Sequence, residues 1–203
     1  MTTPGFTVIK VGGSLFDLPD LAFRLNAVIA EFGPRVLMVA GGGKVVDVVR
    51  ELDLRHQLGD QTAHDLALFG LDFTATLLTA FLPECALISR PMELELNWAG
   101  GRIPVLKPAL FLDAFDQPRA DALPASWRIT SDSIAARAGV ILGADRLVLL
   151  KSASLPLAAT IHDAAWRGFV DPDFPEVART IAHVSYINLR DSPRAVRKLA
   201  SDS

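Results

Sequence analysis

One cysteine occurs among the 203 residues, and this scarcity excludes two kinds of protein. Cys85 has no partner for an intramolecular disulfide framework, and a cysteine-rich zinc site is equally excluded. We expect Cys85 to be an ordinary buried thiol. Excess positive charge is also missing, since 20 Lys and Arg stand against 23 Asp and Glu, a net charge of −3. The chain therefore lacks the basic surface that nucleic-acid binding requires.

Long apolar runs are missing as well. No stretch of about 20 apolar residues occurs, so a membrane-spanning helix is not predicted. The N-terminal segment has no basic stretch followed by an apolar one, which argues against a signal peptide and favours a cytoplasmic protein. Half of the residues are apolar and 21% are charged, so a large core is expected. Because no repeat, linker or low-complexity tract is present, residues 1–203 are predicted to form one domain.

The first half of the chain alternates strand-like and helix-like segments. Residues 6–11 form a β-branched run that ends at two glycines, and residues 18–32 have helical periodicity. A second apolar run, 36–40, ends at three glycines and is followed by a helical segment, 44–52. This β-α-β-α order predicts a parallel sheet covered by helices on both faces.

The remainder continues the pattern. A long apolar helix is predicted over 60–82, strands over 84–89, 102–106, 146–150 and 186–189, and an edge strand over 92–97, where polar and apolar residues alternate. Residues 116–126 read as a loop, a helix begins at Thr130-Ser131-Asp132, and 173–183 looks helical. Ser192-Pro193 is typical of the start of a last helix.

Two glycine-rich turns follow the first two strands: the first glycine turn, Gly12-Gly13-Ser14, and the second glycine turn, Gly41-Gly42-Gly43. Backbone N–H groups in such turns can approach an anion, and the next helix N-terminus adds partial positive charge. Two such turns suit the transfer of a phosphoryl group between them. The alternative is that the glycines only end the strands. A P-loop does not fit, because Val45 follows Gly43-Lys44 where Ser or Thr is needed.

Two lysines stand at strand ends, where an unpaired buried charge would be costly. Lys10 is near the end of the first strand and Lys151 closes the strand at 146–150. Both are candidates for stabilising a transferring phosphoryl group, although either alone could be a lysine whose ammonium reaches solvent. Asp132 is placed to orient both lysines, or it belongs to a helix cap with its hydroxyl neighbours.

Four motifs occur in a recognisable order: Lys10-Val11-Gly12-Gly13-Ser14, Gly41-Gly42-Gly43-Lys44, Thr130-Ser131-Asp132-Ser133-Ile134-Ala135 and Leu149-Leu150-Lys151-Ser152. In these residues the sequence resembles the amino acid kinase family, and Asp171-Pro172 also resembles the family's nucleotide segment. The resemblance implies a three-layer αβα sandwich with a mostly parallel central sheet. The phosphoryl acceptor would lie over residues 1–125 and ATP over residues 126–203.

The resemblance also implies roles for individual residues. Lys10 and Lys151 would stabilise the transferring group, and Asp132 would organise them. The residues implied for the nucleotide phosphates are Gly12, Gly13, Ser14, Ser152 and Asp171, and those implied for the acceptor are Gly41, Gly42, Gly43, Thr130 and Ser131. Mg²⁺ would be held mainly by the nucleotide, without a protein metal site. One departure is the missing Val-Asp-Gly-Val/Ile-Tyr stretch after Lys151, which affects the adenine pocket.

Within the family, two segments look like a small subgroup that includes kinases of methanofuran biosynthesis, which phosphorylate (aminomethyl)furanmethanol phosphate. They are Leu123-Pro124-Ala125-Ser126-Trp127 and the helix start Asp60…His64. Asp60 and His64 become candidate acceptor contacts, with a helix cap and a packed histidine as alternatives. Trp127 is either a wall of the acceptor pocket or a core aromatic, whereas Arg128 and Arg137 are expected to be surface charges.

The expected function is an ATP-dependent kinase acting on a small phosphorylated or carboxylated acceptor. The alternative is a non-catalytic nucleotide- or oxyanion-binding protein on the same fold. The resemblance also implies a homo-oligomer, a dimer or larger, and the apolar segment 60–82 is a candidate interface.

Overall fold

A seven-stranded sheet runs through the computed structural model, which describes residues 5–156 and 159–200. Its strand order is β3-β4-β2-β1-β5-β6-β7, and only β7 is antiparallel to its neighbour. The strands are β1 (Thr7–Val11), β2 (Val36–Ala40), β3 (Cys85–Ile88), β4 (Ile103–Leu106), β5 (Arg146–Lys151), β6 (His183–Asn188) and β7 (Arg197–Leu199). The predicted mostly parallel α/β sheet is confirmed.

Helices cover both faces of this sheet. They are α1 (Leu21–Phe32), α2 (Gly43–His56), α3 (Asp60–Phe81), α4 (Met92–Ala99), α5 (Pro108–Phe115), α6 (Ser131–Leu142), α7 (Ile161–Trp166) and α8 (Phe174–Ala178), with a short 3-10 helix at Gly13–Asp17. α1 and the C-terminal half of α3 pack on one face, while α5, α6 and α8 pack on the other. This is a three-layer αβα sandwich, and within the described residues no helix is long and apolar enough to cross a membrane.

Strand register decides which side chains reach the site. In β1, Ile9 and Val11 point to the face covered by α1, so Val8 and Lys10 point to the opposite face, where α6 packs. Lys10 lies beside Leu149 of β5. Lys151 is two residues further along and therefore points to the same face, so both lysines meet the first turn of α6.

The predicted edge strand at 92–97 is wrong, because these residues belong to α4. The Glu93 carboxylate accepts hydrogen bonds from the backbone N–H groups of Ser89 and Arg90, which satisfies donors where the helix begins. Leu94 and Trp98, one helical turn apart, pack in the core, while Leu96 is exposed. The alternation of polar and apolar residues was coincidental over so short a segment.

The predicted last helix at Ser192-Pro193 is also wrong. After a loop, the chain instead forms β7, whose residues pair with β6 from Val184↔Leu199 to Tyr186↔Arg197. The helix predicted over 173–183 is only the five residues of α8, and β6 begins at His183 rather than 186. In both places backbone hydrogen bonds to the sheet outweigh the local helix signals.

Candidate active site

A charged cluster forms where β1 and β5 end. The Lys10 ammonium lies 2.8 Å from Asp132 Oδ1, and Lys151 Nζ donates a hydrogen bond of 2.6 Å to Asp132 Oδ2. The Lys10 contact is an ion pair without hydrogen-bond alignment, so among the described residues Oδ1 has no hydrogen-bond donor. Lys10 and Asp132 are almost fully buried. Two cations and one anion leave the cluster with a net positive charge.

Burial and mutual charge shift the ionisation of this cluster. Burial alone would raise the pKa of Asp132, but the charges of Lys10 and Lys151 lower it overall, so Asp132 is ionised at neutral pH. Burial and the nearby Lys10 charge lower the pKa of Lys151 to about 8, against the opposing attraction of Asp132. Lys151 is thus a cation whose pKa lies close to neutral pH, a perturbation that is common at functional sites.

The two glycine turns touch each other directly above the cluster. A Cβ on Gly13 would lie 2.1 Å from the backbone nitrogen of Gly43, and one on Gly43 would lie 2.5 Å from the Gly13 carbonyl oxygen. Gly43 also has a φ of +51°, in the left-handed region. Only glycines allow this approach. The two turns therefore form one continuous backbone surface at the carboxyl ends of adjacent strands, the usual ligand crevice of such a sheet.

Ser14 links the first glycine turn to the other half of the sheet. Its hydroxyl is 2.7 Å from the Ser152 hydroxyl, directly after β5. Arg190, which follows β6, donates to the Ser14 carbonyl at 2.9 Å and to the Asp17 carboxylate at 2.6 Å. Arg190 was not among the site residues predicted from the sequence. Its position just after a parallel strand is the signal that would have found it, since such strand ends face the crevice.

Asp171 contacts the start of α6. Its buried carboxylate accepts four hydrogen bonds, from the backbone N–H and hydroxyl of Thr130 and from those of Ser133. These bonds satisfy the start of α6, the helix that carries Asp132, so the carboxylate is already occupied by protein donors. The Thr130 hydroxyl in turn accepts from the Asp132 N–H as the N-cap of α6.

Two cavities meet at the second glycine turn. A cavity of about 640 Å³ is lined by Gly13, Ser14, Lys44 and Arg190, among other residues. A smaller cavity of about 150 Å³, the ring cavity, has a polar end formed by Gly42, Gly43, Thr130 and Ser131. Its other lining residues are Val46, Asp47, Arg50, His64, Ala67, Leu68, Leu71, Ser126, Trp127, Ile129 and Ile134. Gly42, Gly43, Asp47 and Ser131 line both cavities, so the site has two compartments that share one polar wall.

The two acceptor candidates on α3, His64 and Asp60, differ in their positions relative to the cavities. His64 lines the ring cavity, and burial lowers its pKa despite the opposing charge of Asp65, so its imidazole is neutral at pH 7. Asp60 is exposed at the first residue of α3 and lines neither cavity at the second glycine turn. No cluster of three or more His, Cys, Asp or Glu that could hold a metal ion occurs in the described residues. Cys85 is free and buried, and burial raises its pKa to about 12.

Arg137 was expected at the surface, and the structure corrects this. Its side chain is buried and pairs with Asp116 and Asp121. A buried guanidinium is tolerated because its donors are satisfied by two carboxylates and a backbone carbonyl. Arg128, by contrast, is exposed and pairs with Asp173.

Comparison with known proteins agrees with this geometry. The family described as "Amino acid kinase family" matches residues 5–154, which include β1, both glycine turns, α6 and β5. The chain belongs to the amino acid kinase family. It is 25% identical over 143 residues to the [5-(aminomethyl)furan-3-yl]methyl phosphate kinase of Methanocaldococcus jannaschii. That match covers 70% of this chain and 63% of the relative, so the chain spans less than two thirds of the relative's length.

Solved structures of family members share the fold. UMP kinase from Bacillus anthracis superposes with a TM-score of 0.71 at 12% identity, over 98% of this chain and 97% of that one. UMP kinase from Ureaplasma parvum gives 0.67 at 13% identity, over 95% and 93%. Uridylate kinase from Archaeoglobus fulgidus gives 0.63 at 16% identity, over 89% of each chain. At these identities the likeness concerns the fold.

Proposed function

We propose that this protein is an ATP-dependent kinase that transfers the γ-phosphoryl group to a phosphate, or a carboxylate, of a small molecule. One observation carries the proposal: the Lys10–Asp132–Lys151 cluster lies at the strand ends where the two glycine turns touch, since a Cβ on Gly12 would lie 3.6 Å from Lys151 Cα and one on Gly41 would lie 3.2 Å from Ser131 Oγ. Net positive charge beside two glycine turns and the N-terminus of α6 is what phosphoryl transfer needs, because its catalysis is mostly positioning and electrostatic stabilisation. A non-catalytic oxyanion binder would need the turns but not two buried lysines fixed by one carboxylate.

In this proposal an oxygen of the acceptor anion attacks the γ-phosphorus while the bond to the β–γ bridging oxygen breaks, giving ADP and the phosphorylated product. Lys10 and Lys151 stabilise the charge that builds on the transferring group. Asp132 fixes both ammonium groups from one helix end. An acceptor that is already an anion needs no general base, so none is assigned.

We assign the nucleotide phosphates to the first glycine turn with Ser14, Ser152 and Lys151. The acceptor is assigned to the second glycine turn with Thr130, Ser131 and His64. The cofactors in this proposal are ATP and Mg²⁺, and the only carboxylate in the cluster, Asp132, is paired with two lysines. Mg²⁺ would therefore be held by the nucleotide phosphates, whose charge it neutralises. Asp171 and Asp60 receive no direct role.

The acceptor we propose is [5-(aminomethyl)furan-3-yl]methyl phosphate, or a close analogue. The relative in Methanocaldococcus jannaschii is named for this substrate. The ring cavity supports the assignment, because its polar end reaches the second glycine turn while its walls are apolar and aromatic. Asp47 at its rim offers a carboxylate for an ammonium group.

A second copy of the chain is proposed as partner. The α3 patch, Leu66, Phe69 and Phe73 on α3 with Leu110 on α5, presents four exposed large apolar side chains. The three α3 residues share one helix face, and Phe69 and Leu110 line the same groove. Phe69 and Phe73 are 63% and 58% exposed, so a partner would cover just over half of the roughly 150–250 Å² that an aromatic side chain buries, as a contribution to the roughly 800 Å² per partner that dimers bury. A cytoplasmic location, where ATP is available, completes the proposal.

The test is a coupled ADP-release assay with a panel of phosphomonoester and carboxylate acceptors, including the furan phosphate, with the product verified by mass spectrometry. Lys10→Ala should lose about 100-fold or more in kcat. It should also have a lower thermal transition, because the buried Asp132 loses one of its two partners, so the assay is run at a temperature where the variant is folded. Lys198→Ala, which removes an exposed lysine of β7, serves as the matched lysine control and should keep the wild-type kcat. ATP binding without turnover over the whole panel would favour the non-catalytic binder.

A further inference from the structure

Trp127 stands out among the lining residues because it is held from two sides. Its indole N–H donates to the Asp53 carboxylate at 2.7 Å, and the Arg50 guanidinium lies 4.7 Å from the ring centroid. Both partners are on α2, the helix that begins at the second glycine turn. A hydrogen bond along one edge and a cation over one face fix both the position and the tilt of the indole.

The loop between α5 and α6, which carries Trp127, is held in place by hydrogen bonds of Asp116 and Arg137. Asp116 is fully buried, accepts a hydrogen bond from Arg137 Nε, and accepts another from the backbone N–H of Leu123. Arg137 also donates to the Asp121 carbonyl oxygen at 2.7 Å. Because Arg137 belongs to α6, the loop between α5 and α6 is fastened to the helix that carries Asp132. The indole therefore keeps a defined distance from the phosphoryl-transfer cluster.

The ring cavity that Trp127 walls is small. Its volume of about 150 Å³ equals that of a cavity known to take one benzene molecule, about 150 Å³. Pockets for drug-sized ligands begin at about 300 Å³. One five- or six-membered ring fits such a space when its phosphate lies at the second glycine turn. A nucleoside monophosphate carries a base and a sugar, two ring systems, and is too large.

We propose that Trp127 is the specificity-determining residue of this site and limits the acceptor to a phosphomonoester with one small ring. The inference rests on the proposed function and deepens it. Removing the indole merges its volume with the ring cavity, which then admits larger acceptors. Asp53 is a positioning residue in this scheme, since it acts on the acceptor only through the indole N–H.

The experiment compares the wild type, Trp127→Ala, Trp127→Leu and Asp53→Asn on two acceptors, benzyl phosphate and 2-naphthylmethyl phosphate. We expect the ratio of kcat/KM for the larger to the smaller acceptor to rise at least 10-fold in Trp127→Ala, and less in Trp127→Leu. Asp53→Asn should raise the ratio partially, because the indole is less firmly held. The control is Trp166→Ala, since Trp166 is 82% exposed and does not line the ring cavity; it should behave as wild type.

A parallel arm measures the binding of both acceptors by calorimetry without ATP, on variants whose thermal transitions show that they are folded. If the affinity ratio shifts in Trp127→Ala while no variant transfers phosphate, the size-limiting role is supported and the kinase function fails. Unchanged ratios in folded Trp127→Ala and Trp127→Leu, by kinetics and by binding, would overturn the inference. A wild type that takes the naphthyl acceptor as well as the benzyl one would do the same.

Discussion

The ionisation of Lys151 predicts how the activity depends on pH. Burial and the charge of Lys10 lower its pKa to about 8, and in the proposed reaction only the protonated form stabilises the phosphoryl group. Because kcat/KM reports the free enzyme, we expect it to fall as pH rises through about 8, where Lys151 loses its proton. The profile of kcat should fall at higher pH, since bound phosphates favour the protonated form. A pH series above 7 measures both, with the phosphate substrates fully ionised.

Lys151→Arg is the matched variant for this pH dependence. Arginine stays charged over the whole range, so the variant should lose the fall near pH 8 even though its activity is lower. A wild-type profile that is flat from pH 7 to 10, or an arginine variant with the same fall, would contradict the assignment.

The position of Asp132 between two lysines leads to a prediction about stability. Asp132→Asn keeps the shape but leaves two buried ammonium groups without an anion, so we expect the free energy of unfolding to drop by about 3 kcal/mol. Sulfate should recover more stability in this variant than in wild type, because an anion can replace the carboxylate between the lysines. Urea unfolding in sodium sulfate and in sodium chloride at equal ionic strength measures both effects. Asp113→Asn, an exposed residue outside both cavities at the second glycine turn, controls for the general stabilisation by sulfate. Equal sulfate effects in all three proteins would argue against the pairing.

At the scale of elements, the contact between the two glycine turns decides how the strand ends are joined. Gly43→Ala should cost both a left-handed backbone penalty and a clash with the Gly13 carbonyl oxygen. Gly143, at the end of α6, has a φ of +76° and nothing within 4 Å of an added Cβ. Gly143→Ala should therefore lose about 1–2 kcal/mol of unfolding free energy and no kcat. Gly43→Ala should lose more stability and at least 100-fold in kcat/KM; equal losses in both variants would mean that the contact is unimportant.

The strands and helices also show which parts of the fold can be predicted from the sequence. The buried parallel strands β1, β2 and β5 were predictable, because β2 and residues 147–150 of β5 are continuous apolar runs and β1 is a β-branched run interrupted only by Lys10. Glycines follow β1 and β2, and Lys151 ends β5. Met92–Ala99 was not predictable, since eight residues are too few to separate a period of 2 from one of 3.6. β7 was not either, because its three residues carry no strand pattern of their own and become a strand only through backbone pairing with β6.

For the site residues, the order of the motifs along the chain predicted the charged cluster. The hydrogen-bond and ion-pair partners of individual side chains could not be predicted from the sequence. Lys10, Asp132 and Lys151 were named from motifs, and the structure brings them together. The family resemblance assigns Asp171 to the nucleotide phosphates. It could not show that the hydroxyls of Thr130 and Ser133 donate hydrogen bonds to the Asp171 carboxylate. Arg137 looked like a surface charge because its partner Asp116 lies in an irregular loop.

At the scale of the whole molecule, the α3 patch predicts assembly. Phe73→Lys should convert a dimer to a monomer, because a charge placed in a desolvated apolar contact is costly. Multi-angle light scattering after gel filtration measures the mass. Leu54→Lys is the control: Leu54 is 78% exposed on α2, outside the patch, and its variant should keep the wild-type mass. A wild-type protein that is monomeric at high micromolar concentration would refute the interface.

The central place of β1 has a consequence for how the molecule is made. β1 pairs with β2 on one side and with β5 on the other, and β5 comes more than a hundred residues later in the chain. During synthesis the first strand therefore keeps one open edge until most of the protein has emerged. Long-range pairing of this kind is slow. The lysines at the ends of β1 and β5 meet only when that edge closes, so catalytic competence should arise as one of the last events of folding.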